Sequence, residues 1–157
     1  MPVPTGVDPW PSQEAYIYDK IFALTQNGGP LAAFKNVEKI APPEKGRFPC
    51  AGVMFTHFEE PPEATRQHQV ICYYDIVVQL QSASDGQADT GARALEALAA
   101  YISVISPLFR TDPTLGGLAQ TSRFSRFERV PLRTETGTAV TAVMAYWQLR
   151  TETPVRF

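Results

Sequence analysis

Apolar and polar positions alternate most cleanly between Gln67 and Gln81, where Val70, Cys72, Tyr74, Ile76, Val78 and Leu80 fall on one side. Gln69, Tyr73, Asp75 and Gln79 mark the other side, so the pattern predicts a long strand with one buried face. Val77 interrupts the alternation, which implies that part of the second face is covered too. Another strand is expected just before it, over residues 49–60, and two more over residues 120–132 and 139–151. In residues 120–132, Phe124 and Phe127 break the two-residue period and imply a twist or a bulge. In residues 139–151, Thr141, Val143, Ala145, Trp147 and Leu149 share one side, and Val140, Ala142, Met144, Tyr146 and Gln148 share the other. Both sides are substantially apolar, as in a central strand or a strand with one face against another subunit.

A helical period governs two other stretches. Ser12 is placed to cap a helix starting near Gln13, with Glu14 and Asp19 towards its favourable start. Ala15, Tyr18, Ile21, Phe22 and the pair Leu24-Thr25 supply its expected apolar stripe, and Asn27-Gly28-Gly29-Pro30 ends it. The second helix carries Ala92, Leu95, Leu98, Ala99, Ile102 and Ile105 at helical spacing, opened by a capping box from Ser84 to Gln87 or by Asp89. Pro107 is expected to stop it. A short strand or irregular crossing is expected within residues 31–40. Helices and long strands are segregated along the chain, so the expected fold is α+β: a single domain with a mainly antiparallel β-sheet packed against helices.

Size and composition narrow this picture. The 157 residues fit one domain, and 44% hydrophobic content is that of a globular chain. Four prolines among residues 1–11 make that segment a flexible arm, with the folded domain over residues 12–157. A secretory leader and an apolar run of transmembrane length are both missing from the pattern, so a soluble intracellular product, or one assembled into a particle inside a cell, is expected. The formal charge of -2 argues against a general nucleic-acid binder. Charge is uneven, however. Residues 1–80 carry 6 basic against 9 acidic side chains, and residues 81–157 carry 8, all arginine, against 7. Glu59, Glu60 and Glu63 crowd one connection around Pro61-Pro62, while Arg123, Arg126, Arg129 and Arg133 crowd one strand. Arginines on a strand protect an edge, or pair in bidentate fashion with carboxylates of another subunit.

Candidate chemistry is thin. Cys50 and Cys72 fall in neighbouring predicted strands and read as buried small hydrophobes, a disulfide between them being the alternative. Cys50, His57 and His68, with the nearby glutamates, lack the tight spacing of a metal site and supply only the residue types of a Cys–His enzyme. No cofactor is expected. Arg123, Phe124, Arg126, Phe127 and Arg129 alternate charge and aromatic rings as nucleic-acid surfaces do, or serve as core anchors with arginines over the sheet edge.

The junction Asp112-Pro113-Thr114-Leu115-Gly116-Gly117-Leu118-Ala119 links the second helix to the arginine strand. One reading is that Leu108, Phe109, Leu115 and Leu118 seal the base of the helix. The other is that Thr114, Gly116 and Gly117 permit close approach at a contact. With this junction, the order of elements over residues 12–152 resembles the tail-terminator, or tail-completion, family of long-tailed bacteriophages and related gene-transfer particles. The helix around residues 15–25, the strand Gln67–Gln81, the alanine-rich helix around residues 92–105 and the strand 139–151 carry the resemblance with it. The resemblance implies a non-enzymatic structural protein of the virion, forming a ring, commonly a hexamer, at the head-proximal end of the tail tube. There it would stop tube polymerisation and provide the head–tail joining surface. Its partners would be copies of itself, the major tail tube protein and a head–tail connector or stopper, with DNA passing through the ring without specific binding and no membrane involved. Assembly would take place in the host cytoplasm. Glu59, Glu60, Glu63, Thr114, Gly116, Gly117, Arg123, Arg126, Arg129 and Arg133 are the candidate subunit or tube contacts. The alternatives are another connector or neck protein, or a small Cys/His enzyme. An exposed ion pair contributes only ~0–1 kcal/mol, so charge would set register while apolar contact holds the assembly.

Overall fold

The computed structural model describes residues 8–34, 36–39, 49–61, 67–81, 92–133 and 140–156. In chain order these form α1 (Trp10–Ala23), β1 (Asn36–Glu38), β2 (Cys50–Glu59), β3 (Gln67–Gln81), α2 (Ala92–Arg110), β4 (Thr121–Arg133) and β5 (Val140–Arg156). The strands make one five-stranded sheet in the order β1-β2-β3-β5-β4. β1 runs parallel to β2, and every other pairing is antiparallel. Both helices lie on one face of this sheet, so the fold is α+β as the periodicities imply.

The centre of the sheet is the long pairing of β3 with β5, from Gln67 opposite Arg156 to Gln81 opposite Ala142. Val70, Cys72, Tyr74, Ile76, Val78 and Leu80 all point into the core, joined there by Val143, Ala145, Trp147 and Leu149 of β5. On the opposite face Ile71, Val77 and Ala142 are buried too. β5 continues five residues past the expected end at Thr151, because Thr151, Thr153 and Val155 remain buried against β3. The suspected irregularity in β4 is a register shift between Phe124 and Arg126, with Ser125 as the extra residue. A matching shift in β2 lies between Phe55 and His57.

Both helices depart from their expected bounds. α1 opens at Trp10 rather than near Gln13, and no side chain caps it. Pro11 in the first turn has its φ preset and gives up an N–H that would be unbonded anyway. Trp10 then stacks on Phe55 with ring centroids 4.7 Å apart, so Trp10 and Pro11 belong to the folded domain rather than to an arm. The stripe is also rotated: Gln13, Ile17 and Ile21 are buried, whereas Phe22 is 43% exposed. α2 runs through Pro107 to Arg110. Proline removes the N–H that would bond the Ser103 carbonyl, but its neighbours outweigh that loss. Ile105, Ser106 and Phe109 are buried, and Ser106 Oγ accepts a 2.9 Å bond from Trp147 Nε1. Ala99, expected in the stripe, is exposed. The capping residues Ser84, Gln87 and Asp89 lie outside the described residues.

Gln13 joins α1 to the sheet. Its Nε2 donates to the Leu118 carbonyl at 2.8 Å and to Thr153 Oγ1 at 2.7 Å. Its Oε1 accepts from the Tyr74 hydroxyl at 2.7 Å and from Thr151 Oγ1 at 2.9 Å. Every donor and lone pair of the amide is thus used, in a fully buried site. Burial also pushes the Tyr74 phenol far above its ordinary value, which keeps it a neutral donor. Gln13→Leu strands three hydroxyls and a carbonyl and is expected to cost about 3 kcal/mol. In a thermal melt, that loss lowers Tm by roughly 6–12 °C for a chain of this size.

Candidate functional site

The junction after α2 is a tight, internally bonded turn. Leu115, Gly116 and Gly117 take φ values of 49°, 65° and 93° in succession. Backbone bonds from Leu115 N to Asp112 O and from Ala119 N to Thr114 O, 3.1 and 3.0 Å, close it. The Leu115 side chain is fully buried, and that burial holds a non-glycine residue in the left-handed region. Gly116 has a second reason to be glycine, since a Cβ there would come within 2.8 Å of Tyr16 Cε2. Gly117 faces open space and needs glycine only for its φ.

Asp112 locks this turn to α1. Its carboxylate accepts from the Tyr16 hydroxyl at 2.5 Å and from Gly116 N at 3.1 Å. These two bonds, the Tyr16 bond foremost, hold the Asp112 carboxyl below the ordinary carboxylate range. The same bond, helped by desolvation, raises the Tyr16 phenol. Of the two readings of the junction, the sealing role is therefore built in: Phe109, Leu115 and Ala119 are core residues, and Leu108 and Leu118 pack against them. Thr114 and Gly116 remain at the surface.

The acidic and basic candidates sit on opposite sides of the sheet. β1 covers only Cys50, Ala51 and Gly52 of β2, so the far half of β2 is a sheet edge among the described residues. This half ends in Phe58, Glu59 and Glu60, all exposed, with Phe58 at 48%. Register puts Phe58 opposite Cys72, on the helix-bearing face, and Glu59 opposite Ile71, on the other. Glu59 accepts a 3.4 Å bond from the Tyr73 hydroxyl. Tyr73 stacks on His57 at 4.4 Å and stands opposite Arg150 in the β3–β5 register, and Arg150 pairs with Glu152. Two polar pairs, Tyr73–Glu59 and Arg150–Glu152, thus lie on the helix-free face. Glu63 lies outside the described residues.

β4 forms the opposite edge, and its arginines do not make one patch. Arg123 pairs across with Arg150 and Arg126 with Gln148, on the helix-free face, whereas Arg129 pairs with Ala145 on the helix side. The extra residue at Ser125 puts Arg123 and Arg126 on one face despite their odd spacing, while the odd spacing from Arg126 to Arg129 puts Arg129 on the other. Arg126 is bound to Glu128 of its own strand at 2.5 Å, so it is not the free cation that the sequence implies. Arg123 and Arg129 are exposed and have no ion-pair partner among the described residues. The Arg133 side chain is not among those described.

Between β4 and the C-terminal half of α2 runs an open groove of about 470 Å³, with Ile102, Pro107, Phe124, Phe127 and Trp147 in its walls. It continues past Phe124 into a second hollow of about 290 Å³ that includes Ser122 and Arg123. Arg110 belongs to both and lies over the Phe124 ring at 5.8 Å. Phe127 is 45% exposed beside Trp147, at a centroid distance of 5.3 Å. Neither Arg110 nor Phe58 stood out in the sequence. One lies past a proline expected to end its helix, and the other sits inside a strand pattern.

No protein-family model matches the chain, and no curated protein matches it. The residues of the enzyme alternative are dispersed. Cys50 pairs with Gln79, seven positions along β3 from Cys72, or about 23 Å at strand rise. The two thiols also occupy opposite faces and are both free. Burial raises both, Cys72 to about 11, the wrong direction for a nucleophile. Cys50 and His57 are seven positions apart on β2, and the His68 side chain is not described. Among the described residues no group of three or more His, Cys, Asp or Glu is placed to hold a metal, and no helix is long and apolar enough to cross a membrane.

Two outcomes test the turn. Gly117→Ala is expected to cost about 1–2 kcal/mol from its backbone alone, and Gly116→Ala distinctly more, because Tyr16 must also move; chemical denaturation ranks the two. Asp112 has a folded-state pKa below the unfolded one, so its contribution is present above about pH 3.9 and is lost as pH falls through the folded value. The stability gap between wild type and Asp112→Asn is therefore full at neutral pH and closes in acid, which melts across a pH series measure.

Proposed function

We propose that this chain is a tail terminator, a structural protein that closes the head-proximal end of a phage-like tail tube as a ring, commonly a hexamer. The observation that carries the reading is the separation of two unlike surfaces across one sheet. An aromatic and acidic end of β2 lies on one side, and an arginine-bearing edge with an apolar groove lies on the other. Unlike surfaces on opposite sides of one subunit favour head-to-tail association, which closes into a ring when the rotation per subunit divides a full turn. A self-complementary two-fold patch would instead bring like surfaces together.

The order of elements over residues 12–152, with the turn at 112–119, supports the same reading. Its partners would be the major tube protein on one face of the ring and a connector or stopper on the other. DNA would pass through the opening without sequence recognition. Two arginines without an ion-pair partner among the described residues and a neighbouring internal ion pair make a poor phosphate track, since affinity for nucleic acid scales with the cations that displace counterions. Function would then rest on shape and association rather than on bond chemistry.

Purified chain added to polymerising tail-tube subunits is expected to halt elongation and to decorate one end of each tube in negative-stain images. Side-on decoration, or no association with tube ends, overturns the assignment.

A further inference from the structure

The groove between α2 and β4 has the chemistry of a socket. Its floor and walls are aromatic and aliphatic, from Ile102, Phe124, Phe127 and Trp147, and Arg110 and Arg123 stand along it. Ser122 Oγ, buried in the second hollow, has no hydrogen-bond partner among the described residues. A fitting occupant carries a ring for the apolar part and carboxylates for the guanidinium groups.

The chain itself presents such a segment. Phe58, Glu59 and Glu60 are consecutive and exposed, at the free end of β2. Within one copy they cannot enter the groove, because β3 and β5 stand between β2 and β4. Their level in the sheet does match it. Phe58 pairs with Cys72, Cys72 with Thr151, and Thr151 with Ser122, so the segment and the second hollow lie on one row across the strands. Phe58 and the groove also share the helix-bearing face. A neighbour displaced sideways along that row brings its β2 end to this groove.

We propose that the end of β2 from a second copy of this chain docks in the α2–β4 groove, with Phe58 among Phe124, Phe127 and Trp147 and with Glu59 and Glu60 on Arg110 and Arg123. The contact rests on the ring reading above and names its joint. It is heterologous, so each copy gives one β2 end and receives one. Arg126, already bound to Glu128, takes no part.

The test is a charge exchange in the full chain. E59R/E60R reverses the inserted segment and R110E/R123E reverses the socket. All four positions are exposed, so each variant is expected to melt with wild type, as circular dichroism checks. Sedimentation equilibrium is expected to show each variant alone self-associating at least about tenfold more weakly, a change of about 1.4 kcal/mol per contact. An equimolar mixture is expected to recover wild-type assembly, because each reversed part then meets its complement. Phe58→Ser is expected to weaken association as strongly, with no recovery on mixing with R110E/R123E. Wild-type association by either charge variant alone overturns the proposal. So does loss of assembly that mixing does not restore, which would assign the groove to a different partner, and so does a wild-type chain that stays monomeric. Tube capping separates the two claims: a variant that assembles and still caps tubes leaves the ring reading standing without this joint, whereas an assembled wild type that ignores tube ends removes the ring reading and leaves the joint.

Discussion

The amide of Gln13 fixes the relation of the first helix to everything else. A buried amide with four partners has one geometry, since any rotation of α1 would leave hydroxyls of β3 and β5 unbonded in a dry interior. The same amide reaches the Leu118 carbonyl, so it also sets the turn that follows α2. Tyr16, one turn along the helix, adds the second tie through Asp112. The direction in which β4 leaves α2 follows from these two side chains of α1.

This arrangement explains why the glycines of the turn serve the fold before they serve any contact. Three successive residues in the left-handed region let the chain reverse within the space left by Tyr16 and the buried Leu115. The arginine strand is then presented as an edge, with Arg123 and Arg126 brought to one face by one bulged residue and Arg129 left on the other. Charge segregation along the sequence becomes segregation across the width of the sheet. The apolar groove joins the basic side and the exposed Phe58 the acidic one, so both sides combine rings with charge.

Much of the fold was legible because β3 keeps a two-residue period broken only at Val77, because β5 is substantially apolar on both sides as far as Thr151, and because alanine, leucine and isoleucine recur helically in α2. Even the bulge in β4 left a trace in the spacing of Phe124 and Phe127. The errors have separate causes. Gln13 looks polar, and only tertiary partners make it a core residue, so the stripe of α1 was placed on the wrong phase. Pro107 looks like a stop, but burial of Ile105, Ser106 and Phe109 around it outweighs one missing N–H. The assembly candidates were legible only as charge. Sequence cannot show that Arg126 is already paired, that Arg129 faces away from Arg123, or that a groove opens where α2 overruns its expected end.

Glu14 carries a last consequence. Its carboxylate accepts the Phe55 N–H at 2.7 Å, on the half of β2 that β1 leaves uncovered. An open strand with free donors is an invitation to amyloid-like stacking. Here one donor is plugged by a charged side chain, and the bulge comes directly after it. The other edge carries its own deterrents: a second bulge, exposed arginines and Pro131. Both margins of the sheet thus discourage runaway backbone pairing, so a ring of the kind proposed would be joined through side chains, in contacts of finite number.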